Sequence, residues 1–200
     1  MTYINQLETL CQQCGCKMET EVPLAEHTTF RVGGPCRALV HVNSARTAQT
    51  LVQFLRREEI PFVVLGRGSN VIVPDEGFDG VVLLFGHAFA RITRQKNQLV
   101  CQGGASLRAI CTAALDAGLT GLEFAYGIPG TVGGGLYMNA GAYGGELSHV
   151  AVSAEYLDRN GNLVQMDAAD MQLSYRHSCF MENGGIITSV TLQLQPGDPE

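Results

Sequence analysis

The stretch FAYGIPGTVGGGLYMNAGAYGG, residues Phe124–Gly145, contains no Asp, Glu, Lys or Arg and is fenced by Glu123 and Glu146. Eight of its residues are glycine, and Pro129, Asn139 and three tyrosines interrupt the rest, so no continuous apolar helix of membrane-spanning length can form. Glycine costs backbone entropy and buries no side chain. Such density makes sense where main chain must approach something closely, with N–H groups aimed at an anionic or polar ligand. Tight turns in a β-rich core are the plainer alternative. The stretch reads as a cofactor cradle.

The bulk numbers agree with that reading. Two hundred residues suit one ordinary domain or two small lobes. The charged fraction is 16%, against roughly 25% in a typical globular chain, which points to extensive buried surface. A net charge of −6 and a pI near 5.3, with no basic run, argue against a nucleic-acid binder. The opening MTYINQLETL lacks the basic and apolar regions of a secretory leader, so a cytoplasmic protein with reduced thiols is expected. Cys11, Cys14 and Cys16 resemble half of a zinc site, but no second ligand pair follows. A helix with Cys11 and Cys14 on its inner face is the better account, and no metal is expected.

Along the chain, Ile4, Leu7, Leu10, Cys11 and Cys14 keep a helical period over residues 4–16. EVPLAEHTTFRVGGPC reads as irregular and Arg37–Val42 as a strand. Ser44 is placed to cap a helix running to about Glu58 with Ala48, Leu51, Val52 and Leu55 inward. The strand FVVL follows Pro61 and runs into GRGSN; VIVP, VVLLF, ARIT and LVCQ are strand-like. Ser106 is placed to cap a further helix that ends at Gly118. Strands near 150–158 and 163–166 flank Asn160-Gly161, a hairpin signal, and GIITSVTLQLQ is the last strand. QPGDPE, with Pro196, Gly197 and Pro199, reads as a linker. The fold class expected is α+β, with many short strands and two or three helices.

Three segments carry chemistry. Leu65-Gly66-Arg67-Gly68-Ser69-Asn70 follows an apolar strand directly, which places consecutive N–H groups where a pyrophosphate can sit. It lacks the Lys-Ser/Thr of a P-loop and the third glycine of a dinucleotide fingerprint, so a plain turn remains an equal reading. The stretch from Gly127 to Gly144 offers Thr131 and Asn139 as neutral donors, which suit a redox heterocycle whose potentials nearby charges would disturb. Leu173-Ser174-Tyr175-Arg176-His177-Ser178 taken alone is a surface turn with a solvated arginine.

Together, HTTFRVGGP (27–35), LGRGSNVIV (65–73), GLEFAYGIPGTVGGGLYMNAGAYGGE (121–146) and LSYRHSCF (173–180) resemble the UDP-N-acetylenolpyruvoylglucosamine reductase (UDP-N-acetylmuramate dehydrogenase) family of flavoenzymes. The resemblance spans nearly the whole chain in the family's order, and looks most like its shorter subtype. It implies the two-lobed FAD-binding fold of the vanillyl-alcohol-oxidase/PCMH type, lobe 1 at residues 1–86 and lobe 2 at 87–200, with FAD between them. It implies that Gly66, Arg67, Gly68, Ser69 and Asn70 hold the pyrophosphate. Gly130, Thr131, Gly133, Gly134, Asn139, Gly141 and Ala142 would line the flavin. Arg176 falls on the family's catalytic arginine, and Tyr175 would line the substrate pocket. Family members take electrons from NADPH and reduce UDP-N-acetylglucosamine enolpyruvate to UDP-N-acetylmuramate for peptidoglycan. A cytoplasmic monomer, with no nucleic-acid or membrane partner, is the matching expectation.

The chain departs from the family pattern in one respect. The family's proton-donor serine, in a GSxFKNP-type segment, and its C-terminal glutamate have no counterpart in residues 1–200. The expected assignment is therefore the FAD-binding portion of such an enzyme, with the C-terminal substrate-binding domain outside this sequence. Another small-substrate flavin oxidase or dehydrogenase of the same fold, and a non-catalytic flavin-binding module, are the competing readings.

Overall fold

The computed structural model describes residues 3–197. Its chain divides into two compact units, separated in sequence between Ala88 and Phe89.

The first unit opens with α1 (Tyr3–Cys14), which buries Leu7 and Cys11. Next come β1 (Lys17–Pro23), β2 (Pro35–His41), α2 (Ala45–Arg57), β3 (Phe62–Leu65) and β4 (Phe78–Leu84). The sheet order is β1-β2-β4-β3, with β1 antiparallel to β2, and with β2 and β3 each parallel to β4. Parallel pairing requires a crossover, and α2 supplies it between β2 and β3. The Ser44 hydroxyl caps α2 by accepting from the Thr47 N–H at 3.1 Å. The inner face of α2 is Ala48, Leu51, Val52 and Leu55, all fully buried. Each such leucine contributes roughly 1.5–3 kcal/mol by leaving water.

Two sequence expectations fail here. β1 falls partly in the segment read as irregular; it is an edge strand with only Val22 buried, so its pattern carries no alternation. VIVP (71–74) is not a strand: Ile72 is 76% exposed, and the Pro74 carbonyl accepts from Gly34 and Gly77 in a loop. Pro74 has no N–H to give a ladder.

The second unit contains β5 (Ile92–Gln95), β6 (Gln98–Gln102), α3 (Leu107–Asp116), β7 (Leu119–Thr120), α4 (Val132–Tyr137), β8 (Gly141–Ala142) and β9 (Gly145–Glu146). Then come β10 (Ala151–Leu157), β11 (Leu163–Asp167), α5 (Phe180–Asn183), β12 (Ile186–Gln193) and β13 (Gln195–Pro196). Five strands form an antiparallel sheet, β11-β10-β12-β6-β5. The Asn160-Gly161 corner joins β10 to β11, with Gly161 at φ +76°. Ser106 caps α3 by accepting from the Ala109 N–H at 3.1 Å, and Gly118 follows the helix at φ +65°. One core gathers Leu107, Ile110, Val132, Leu136, Leu147, Phe180, Val190 and Leu192. The supposed linker is in part structural: Gln195 and Pro196 pair with Thr120 and Leu119, while Pro199 lies outside the described residues.

All seven cysteines are free thiols. Among the described residues, no cluster of three His, Cys, Asp or Glu is arranged to hold a metal. No helix among them is long and apolar enough to cross a membrane.

Candidate flavin and substrate site

In the first unit, the loop Gly66–Asn70 leaves the carboxyl end of β3, an edge strand in a parallel pairing. Such ends are where open α/β sheets hold ligands. Gly68 sits at φ +61°, and a Cβ there would lie 2.1 Å from the His27 carbonyl oxygen. Its own carbonyl accepts from the Thr29 N–H at 2.9 Å. The glycine is thus demanded by the chain segment packed against it. Among the described residues, the N–H groups of Arg67, Gly68, Ser69 and Asn70 have no protein acceptor. Four successive N–H groups without a protein acceptor, beside a left-handed glycine, are a donor set suited to an anion.

The second unit places the glycine-rich stretch differently from the sequence reading. Its middle is a short helix, α4, capped by Thr131, whose Oγ1 accepts from the Gly134 N–H at 3.3 Å. The amides of Gly130, Val132 and Gly133 donate to Ile128, Ala105 and Gly103 carbonyls. These N–H groups are committed inside the unit. A Cβ at Gly133 would stand 2.9 Å from the Gly103 carbonyl oxygen, so that glycine lets α4 lie against the end of β6. Gly134 faces outward with open room, its Cβ position meeting only Thr131 Oγ1 at 3.5 Å. What this helix offers a flat ligand is close backbone approach at Gly134.

Beyond α4, an open cavity of about 480 Å³ is lined by Asn139, Gly141, Ala142, Tyr143, Glu146, His149, Tyr175 and Arg176, among others. The structure brings together here Asn139, Gly141, Ala142, Tyr175 and Arg176, five of the residues singled out from sequence. Tyr143, Glu146 and His149 carry no site signal in the sequence; Glu146 stands out there only as the charged fence of the stretch. Three non-glycine residues around this cavity have left-handed backbone: Asn139 at φ +41°, Tyr143 at +52° and Arg176 at +53°. Such conformations cost of order 1–3 kcal/mol each and concentrate at functional sites.

Arg176 occupies the tight turn Ser174–His177, closed by reciprocal backbone bonds of 3.2 and 3.1 Å. Its Nη2 donates to the Gly141 carbonyl at 3.0 Å, and its guanidinium lies 5.6 Å from the Tyr175 ring centroid. Among the described residues no carboxylate pairs with it. Glu146 is held below the ordinary carboxylate range, first by the Ser148 hydroxyl and then by Asn139, with His149 and Arg176 adding attraction. The cavity therefore presents a guanidinium with donors to spare, fit for a planar anion such as a carboxylate.

Residues 36–167 match the FAD binding domain family. The UDP-N-acetylenolpyruvoylglucosamine reductase of Clostridium novyi (strain NT) is 38% identical over 182 residues, covering 91% of this chain and 59% of that protein. The crystal structure of UDP-N-acetylenolpyruvylglucosamine reductase from Thermus caldophilus superposes with a TM-score of 0.76 at 34% identity, covering 92% of this chain and 65% of that one. A 4-ethylphenol oxidase from Gulosibacter chungangensis shares the fold at a TM-score of 0.62 and 20% identity. The architecture is thus the FAD-binding fold of the vanillyl-alcohol-oxidase/PCMH type. The chain spans about three-fifths of the curated relative's length.

Proposed function

The chain belongs to the FAD binding domain family, and on that premise we propose that it is the flavin-holding portion of a UDP-N-acetylenolpyruvoylglucosamine reductase. The observation that carries this reading is the Arg176 guanidinium, without a carboxylate partner among the described residues, at a cavity walled largely by the uncharged glycine-rich segment. The reaction is reduction of UDP-N-acetylglucosamine enolpyruvate with NADPH as electron source, a cytoplasmic step in making peptidoglycan precursor.

The residues present fit FAD. The four free amides of Arg67–Asn70, with Gly66 leading into them, suit a pyrophosphate, which carries negative charge and accepts hydrogen bonds. Gly130, Thr131, Gly133 and Gly134 build the α4 entrance, and Gly141 and Ala142 the cavity wall. Bound FAD supplies the hydride. The chain's own residues bind and orient the substrate. Arg176 grips the enolpyruvyl carboxylate bidentately, and the same guanidinium stabilises the negative charge that spreads onto that carboxylate as the double bond is reduced. Tyr175, 85% exposed, flanks the guanidinium and offers its ring as a wall of the substrate pocket. Glu146, kept ionised, lines the same cavity and tempers its positive field.

The test has two parts. The purified chain supplied with FAD is expected to turn yellow and to release the flavin on denaturation. Extended by the remaining part of its relatives' length, it is expected to sustain NADPH oxidation only when UDP-N-acetylglucosamine enolpyruvate is present. A colourless chain that takes up no FAD overturns the reading, and so does oxygen consumption with an alcohol and no response to NADPH.

A further inference from the structure

Asn139 is buried, at 1% exposure, and both ends of its carboxamide are engaged. Nδ2 donates to the Ser174 carbonyl at 2.9 Å, and Oδ1 accepts from the Ser148 N–H at 2.9 Å. One partner can only accept and the other can only donate, so the chemistry fixes which way the amide points. Ser148 continues the chain of contacts: its hydroxyl donates to Glu146 Oε1. On the far flank, the buried Ser178 hydroxyl donates to the Tyr137 carbonyl at 2.7 Å. The turn that carries Arg176 is therefore tethered on both sides to the end of the glycine-rich segment. Without such tethers a non-glycine residue at φ +53° relaxes, because the left-handed backbone is unfavourable for it.

We infer that Asn139 is a positioning residue, which holds the Ser174–His177 turn in its left-handed form and so sets the Arg176 guanidinium over the cavity. The inference rests on the reading of Arg176 as the carboxylate-binding group, and it assigns the Asn139 side chain to the arginine turn instead of to the flavin. Substitution by Asp removes the donor: an ionised carboxylate oxygen then faces the Ser174 carbonyl, and the two repel. A protonated Asp has one O–H and restores the pattern. Ala removes both bonds.

The decisive measurement needs no cofactor. In the isotope-labelled 200-residue chain, the Tyr175–His177 amide signals and the Arg176 Nε–H signal are followed by NMR. Asn139→Ala is expected to broaden or shift them while the β10 and β12 amides stay put. Asn139→Asp is expected to behave like Asn139→Ala at neutral pH. It should regain the wild-type signals as the pH falls through the carboxyl's own titration, which burial and the facing Ser174 carbonyl raise above the ordinary Asp value of about 4. Wild-type spectra at each pH are the control, and the Asp titration decides the matter should the Ala variant fail to fold. In the FAD-loaded protein extended past Glu200, Asn139→Ala is expected to lower turnover about 10–100-fold, yet less than about 2-fold in an Arg176→Ala background, since residues acting through one another are not additive. Unmoved 175–177 signals in Asn139→Ala and Asn139→Asp overturn the inference, as does an equal loss of turnover in both backgrounds. A wild-type extended protein with no turnover would defeat the functional reading instead, leaving the NMR result to judge Asn139.

Discussion

The Arg176 guanidinium is aimed by the Gly141 carbonyl, 3.0 Å from Nη2, and not by a carboxylate. A carbonyl acceptor orients the fork without neutralising it, so the guanidinium, opposed only at longer range by Glu146, keeps charge and donors for a ligand. Arg176→Ala is expected to leave FAD content intact and to cut turnover on the order of 10²–10³-fold, the scale of one lost transition-state contact. Arg176→Lys should recover little, because an ammonium cannot hold a carboxylate bidentately. Steady-state kinetics beside the flavin-to-protein absorbance ratio checks both; unchanged turnover in the Ala variant removes the residue from the reaction.

Gly68→Ala should damage the first unit beyond what its backbone handedness explains. The new Cβ would lie 2.1 Å from the His27 carbonyl oxygen at φ +61°. A loss of at least about 2 kcal/mol is expected from strain and steric overlap together. Gly15→Ala is the matched control: φ is +65° but nothing lies within 4 Å, so about 1 kcal/mol is expected. Urea midpoints of the two variants give the comparison, with FAD retention falling only in the first.

Neighbouring glycines in α4 should behave oppositely. Gly133→Ala pushes a methyl toward the Gly103 carbonyl oxygen at 2.9 Å and is expected to cost about 1–3 kcal/mol. Gly134→Ala meets only Thr131 Oγ1 at 3.5 Å, and in a helix interior it should stabilise the flavin-free chain by up to about 1 kcal/mol. If the flavin lies against this helix, the same methyl should weaken FAD binding. A stabilised variant with undiminished FAD affinity would move the flavin elsewhere.

Both pH limbs carry a sign. Burial pushes the thiols of Cys11 and Cys101 up to about 12 and that of Cys111 to about 11, from an ordinary value of 9.0. For a raised pKa the stabilisation is complete below the unfolded value and is lost as pH rises through the folded one. Melting temperature should therefore fall between pH about 9 and about 12, and Cys101→Ala should flatten that limb while lowering stability at pH 7. Glu146 is depressed, so its contribution is present above the ordinary carboxylate range and disappears as pH drops below it. Glu146→Gln should make the acid limb shallower in the same melting series.

Local rules made much of the fold readable. Ser44 and Ser106 cap the helices expected of them, and Asn160-Gly161 turns the expected hairpin, because each signal lies within a few residues of what it specifies. The helix inside the glycine-rich run escaped detection, since glycine carries no helical stripe and Thr131 alone announces the start. The site was legible as a set of residues but not as a set of bonds. Asn139 was read as a donor to ligand, yet its partners are Ser148 and Ser174, one of them 35 positions away. Ser178 carries no signal of its own in the sequence, and the Tyr137 carbonyl that its hydroxyl reaches is 41 positions distant. Periodicity and capping cannot see pairings made by tertiary closure.

The hairpin of β10 and β11 lies, in sequence, between Ser148 and Ser174, the two residues that Asn139 joins. Closing a longer loop adds only about 0.6 kcal/mol per doubling of its length. A reporter peptide threaded in at the exposed Asn160 corner should consequently leave the cavity wall assembled, whereas nicking the chain there would turn one fold into two fragments that must find each other before an anion could be gripped.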